Sequence, residues 1–125
     1  MTQTINTVNA PAAVGPYVQG KHFGNMLITS GQLPLNPETN TMPEDVAEQA
    51  KQSLANVEAI VNEAGMTKAD IVKATVFVKD LNDFATVNEV YAAFFGDNCP
   101  ARSCVEVARL PLDAKVEIEV IAVKG

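Results

Sequence analysis

No tryptophan, a single histidine and two cysteines stand among the 125 residues, and nine basic side chains face fifteen acidic ones. Each shortage closes a class of function. His22 with the pair Cys99 and Cys104 supplies too few ligands for a structural metal, because C-x4-C without a second cluster leaves a tetrahedral site incomplete. A formal charge of −6, with lysine and arginine scattered rather than clustered, offers nothing to a phosphate backbone, so nucleic acid is not an expected partner. No apolar run approaches the roughly 18 residues of a membrane span. The opening MTQTINTVNAPAAVG lacks the basic start and apolar block of a secretory signal, so a cytoplasmic protein with reduced thiols is expected. G-x-G-x-x-G, Walker and G-x-S-x-G patterns are missing too, and with them the common nucleotide-cofactor and serine-hydrolase readings.

What is present reads as one α+β domain spanning residues 1–125, since this length suffices for one core and is short for two. Apolar residues make up 47% and charged residues 19%, an ordinary balance for a packed globule. PYVQG and MLITSGQL read as two strands, with His22, Gly24 and Asn25 in the turn between them. After the loop Pro34 to Thr41, Pro43, Glu44 and Asp45 open a helix. Its apolar stripe is Val46, Ala50, Leu54, Val57, Val61 and Ala64, and Gly65 stops it.

DIVKATVFVK then alternates as a strand, with Val72, Ala74, Val76 and Val78 on one face. Asp80 caps a second helix whose stripe is Phe84, Val87, Tyr91, Phe94 and Phe95, ended by Gly96. ARSCVEVARL and KVEIEVIAV are the last two strands, joined by PLDA. The order β-β-α-β-α-β-β predicts a mixed sheet with both helices packed on one face.

Two helices leave the other face bare, although it carries Phe77, Ile121 and Val123; another copy of the chain is the expected cover. Alternation in ARSCVEVARL sets Arg102, Cys104 and Glu106 against Ser103, Val105 and Val107, with the apolar row expected to face the core. Arg102 and Cys104, with Glu117 and Glu119 on the next strand, are then expected to project together from the helix-free face. Two readings are open. One is a cross-strand salt bridge from Arg102 to a glutamate, with Cys104 as filler. The other is an anion site in which a planar guanidinium grips a carboxylate and a glutamate moves protons. Spacing does not choose between them, nor between Glu117 and Glu119.

The run Pro100-Ala101-Arg102-Ser103, then CVEVARLP and Val116-Glu117-Ile118, resembles the C-terminal signature of the reactive intermediate deaminase family, close to its RidA type. APAAVGPYVQG, ITSGQLPLNP, QAKQSLANVEAIVNEAG and VFVKDLNDFATVNEVYAAFF extend the likeness over nearly the whole chain. The resemblance implies a chorismate-mutase-like fold and a homotrimer with ligand clefts between subunits. It further implies cofactor-free hydrolysis of enamines and imines such as 2-aminoacrylate, 2-iminopropanoate and 2-iminobutanoate to 2-oxo acids and ammonia. Arg102 matches the family's carboxylate binder and Glu117 the residue that positions or activates water. Cys104, Tyr17, Ser30, Gly31 and Asn88 match other pocket positions, Cys104 mainly through its backbone. One departure is the short GDNCPARS, which places Cys99 where relatives carry an aromatic residue and puts the pocket rim in question. A reading of a different class is a trimeric module that binds 2-oxo acids without turnover; it needs Arg102 but not Glu117.

Overall fold

The computed structural model describes residues 2–125 of the chain. One six-stranded sheet runs through it, built from β1 (Thr2–Ile5), β2 (Gly20–Phe23), β3 (Met26–Thr29), β4 (Ile71–Val78), β5 (Ala101–Glu106) and β6 (Val116–Val123) in the order β1-β2-β3-β6-β4-β5. All neighbours are antiparallel except β4 and β5. That parallel pair needs a crossover, which the second helix provides. The sheet is thus mixed, and two helices pack on one face of it, α1 (Val46–Glu63) and α2 (Phe84–Phe95).

Both helices form where the apolar spacing places them, and their ends are chemically explicit. Asp45 is the N-cap of α1, accepting from the Glu48 amide at 3.1 Å, so Pro43 and Glu44 precede the helix instead of forming its first turn. Gly65, at φ +82°, closes α1 with amide bonds from Gly65 to Asn62 and from Met66 to Val61. Asp80 caps a short 3-10 turn, Leu81–Asp83, that leads into α2. Leu54, Val57, Ile60 and Val61 of α1 and Val87, Tyr91 and Phe95 of α2 are buried against Ala74, Val76, Ile118 and Val120 of the sheet. At about 1.5–3 kcal/mol for each large apolar side chain taken from water, this layer dominates the folding energy.

Four local expectations are corrected. The first hairpin pairs Gly20–Phe23 with Met26–Thr29, so His22 is a strand residue opposite Leu27 and only Gly24 and Asn25 turn. Most of PYVQG is loop. The Gln19 side chain organises that loop: it accepts from the Thr7 amide at 2.7 Å and donates to the carbonyls of Thr7, Ala10 and Pro11. Nothing in the sequence signals β1, because only Ile5 of its four residues is buried and its side chains show no alternation. In β4 a register shift between Ile71 and Lys73 turns Val72 out to 46% exposure, and Ile71 takes its place in the buried row.

The fourth correction concerns the faces of β5. Arg102 and Cys104 lie opposite Ala74 and Val76, residues of the helix-covered row, whereas Ser103 and Val105 accompany Thr75 and Phe77 on the bare face. The parallel register with β4 decides this, overriding an apolar alternation that suggested the reverse. Val105 is 44% exposed and Cys104 packs against the core.

Candidate active site

The site residues expected from the sequence fall into two groups on opposite faces of the sheet. The first surrounds Arg102. β5 is an edge strand, so α2 reaches over it only partly and the guanidinium stays half-buried. Phe84, Asn88 and Tyr91 recur at i, i+4 and i+7 on α2 and meet it together. Arg102 Nη1 donates to Asn88 Oδ1 at 2.6 Å, and its Cζ lies 4.8 Å from the Tyr91 ring centroid and 5.5 Å from that of Phe84. Such stacking orients the planar fork. Among the described residues no carboxylate pairs with Arg102, which removes the salt-bridge reading and leaves a cation with free donors.

Sequence periodicity assigns Phe84 and Tyr91 to the helix stripe alone; their i, i+4, i+7 spacing with Asn88 is the signal for a shared contact with Arg102. Burial pushes the Tyr91 phenol up to about 12, partly opposed by Arg102, and its hydroxyl has no partner among the described groups. Burial also pushes the Cys104 thiol up despite the same arginine, so a thiolate nucleophile is disfavoured there. Cys99 is exposed, with its thiol 3.5 Å from the Gly96 carbonyl.

The second group surrounds Glu117 on the bare face. A Cβ at Gly31 would collide with the Glu117 carboxylate, so glycine is what lets the acid lie against this backbone. Gly31 is held there because Gln32 exchanges backbone bonds with Ile118, at 2.7 and 3.2 Å, beside Glu117 in β6. Burial raises the Glu117 pKa, and the charge of Glu119, two residues along the same face, raises it further. Ser30 donates its hydroxyl to the Val18 carbonyl at 2.6 Å, which leaves it acceptor capacity only. Tyr17 is 51% exposed and its oxygen accepts weakly from the Val14 amide at 3.4 Å, so the phenolic proton is free to donate. Tyr17 and Gly31 share the wall of a groove of about 310 Å³.

The two groups do not meet within one chain. Glu117 pairs with Phe77 and Arg102 with Ala74, three positions apart along β4. That offset is roughly 10 Å, and crossing from β6 to β5 adds about as much, with the side chains on opposite faces. Among the described residues no group of three or more His, Cys, Asp or Glu side chains gathers to hold a metal. No helix there is long and apolar enough to cross a membrane.

Comparison with known proteins gives this arrangement a lineage. Residues 7–124 match the family described as Endoribonuclease L-PSP. A 2-iminobutanoate/2-iminopropanoate deaminase of Escherichia coli K12 is 67% identical, over 99% of each chain, and its Salmonella typhimurium counterpart is 65% identical over 99% of each. The chain belongs to the reactive intermediate deaminase family, RidA type. The crystal structure of the E. coli YjgF gene product superposes with TM-score 0.96 at 66% identity, covering 98% of this chain and 99% of that one. E. coli TdcF with bound serine gives TM-score 0.96 at 56% identity with the same coverage. Family membership thus covers the whole sheet and both groups of site residues.

Proposed function

We propose that the chain hydrolyses reactive enamines and imines of small 2-amino acids to 2-oxo acids and ammonia, without metal or organic cofactor, in a cytosolic homotrimer. The observation that carries the reading is the pair of unsatisfied opposites. Arg102 is a fixed, unpaired guanidinium fork, and Glu117 is a carboxylate of raised pKa lodged against Gly31. A 2-imino acid has a carboxylate for the first and an electrophilic C=N for the second.

Because the two lie on opposite faces, the working cleft requires Arg102, Asn88 and Cys104 of one subunit against Glu117, Gly31, Ser30 and Tyr17 of the next. Such a head-to-tail contact closes as a ring, and three-fold closure gives three equal clefts. It also covers the bare face around Phe77, Ile121 and Val123. Glu117 takes a proton from water as the oxygen adds to the carbon of the protonated imine, forming a carbinolamine. It returns that proton to nitrogen, and as the C–N bond breaks with its electron pair leaving on ammonia, the hydroxyl oxygen closes to the C=O of the 2-oxo acid and gives its proton back to Glu117. For an enamine, protonated Glu117 first donates to the terminal carbon to make the iminium.

The family description names an endoribonuclease, but a formal charge of −6 and scattered basic residues argue against RNA as the substrate. The test is to generate 2-iminopropanoate and 2-iminobutanoate with an amino acid oxidase and follow their loss with purified protein. Glu117→Gln is expected to lower turnover by about 10²–10⁴ while 2-oxobutanoate still binds. Normal turnover in Glu117→Gln together with failure of Glu119→Gln would move the role to Glu119. A wild-type chain that binds 2-oxobutanoate and leaves the imines untouched is instead a binding module.

A further inference from the structure

The groove beside Gly31 extends past the residues that the reaction so far uses. On the single chain it measures about 310 Å³, whereas 2-iminopropanoate presents one methyl group and 2-iminobutanoate an ethyl. Beside Tyr17 and Gly31 its lining holds the apolar Val14, Leu33, Leu35, Pro111 and Leu112 together with the polar Gln19, Gln32 and Asn40. Leu112 is the unusual member. It is 65% exposed, at φ 59° and ψ 21°, and Asp113 follows at φ 56°, so two consecutive non-glycine residues occupy the left-handed region.

Left-handed backbone is unfavourable for a residue such as leucine and persists only where its surroundings enforce it. Here they do. Pro111 precedes it, the Asp113 amide bonds Leu110 at 3.1 Å, and the Ala114 amide bonds Pro111 at 3.2 Å. The Asp113 carboxylate takes two bonds from Arg109, at 2.8 and 3.3 Å. The turn therefore holds an apolar side chain out of the core and over the groove.

We propose that this groove is a side-chain subsite for imines with apolar substituents larger than ethyl, branched or aromatic, and that Leu112 is its specificity-determining wall. The inference rests on the deaminase reading above. An extended 2-imino acid with its C=N at Glu117 sends its substituent past Gly31 and Tyr17 into the apolar part of that lining. Each methylene buried there favours the larger substrate by about four-fold.

The experiment measures kcat/KM for the imines made in situ from alanine, leucine and phenylalanine, using wild type, Leu112→Ala and Leu112→Asn. Asparagine tolerates the left-handed conformation, so the second variant keeps the turn while making its side chain polar; thermal melting verifies both folds. Wild type is expected to consume all three imines. In both variants the ratio of leucine-derived or phenylalanine-derived to alanine-derived kcat/KM is expected to fall about ten-fold. Folded variants whose ratios stay within two-fold of wild type overturn the subsite, as does a wild type that consumes the alanine-derived imine alone. A wild type inactive on all three overturns the deaminase reading itself.

Discussion

The proposed reaction asks Glu117 to carry a proton, and its surroundings make ionisation unfavourable. Burial and Glu119 both raise its pKa, so the native state binds its proton more tightly than the unfolded chain does. The sign for stability follows: the ionised carboxylate destabilises the fold above its native pKa, and the penalty vanishes below the ordinary glutamate value of about 4.3. Glu117→Gln should therefore melt at a higher temperature than wild type at pH 7–8, with the gap closing towards pH 4. Calorimetry across that range checks it, and a variant less stable than wild type at pH 8 contradicts it. Gly31 gives a companion case. Its backbone torsions are not in the left-handed region, so alanine there is sterically wrong only because of Glu117. Gly31→Ala should fold and yet lose activity by about 10² or more, as the carboxylate is pushed off its backbone seat. Near-normal turnover would show that Glu117 works from another position.

At the scale of elements, α2 and β5 form one unit: the crossover that makes β5 parallel to β4 also lays Phe84, Asn88 and Tyr91 over Arg102. Asn88→Ala removes a hydrogen bond to a charged group, worth roughly 1.5–3 kcal/mol. It should raise KM about ten-fold or more with a smaller change in kcat, since the arginine's charge remains while its aim is lost. A change confined to kcat would place Asn88 nearer the reacting bond. This unit also shows where the sequence was readable. Both helices and β6 announced themselves through period and through the glycine stops Gly65 and Gly96, because burial on one face writes itself into spacing. The face of Arg102 did not. An edge strand buries little on either side, so alternation within β5 carried almost no information and the register with β4 determined the outcome. The seat of Glu117 was equally silent as a pattern, since a glycine and a carboxylate distant in sequence leave no periodic trace. The named site residues come from the family likeness, and the structure places them in two groups on opposite faces of the sheet.

For the whole molecule, the proposed cleft makes assembly part of the chemistry, and this can be tested without a structure of the assembly. Arg102→Lys and Glu117→Gln each disable one half, and each homotrimer should be nearly inactive alone. If the subunits are dissociated, mixed in equal amounts and reassembled, a cleft works when its arginine comes from the Glu117→Gln chain and its glutamate from the Arg102→Lys chain. Random assortment in a closed ring makes that combination about one cleft in four, so activity should recover to roughly a quarter of wild type. Sedimentation of the mixture must show trimers. Were both residues to act within one chain, every chain would carry a lesion and mixing would restore nothing. Recovery near a quarter therefore places the cleft between subunits, while trimers that stay inactive after verified exchange place it within one and refute the arrangement proposed for Arg102 and Glu117.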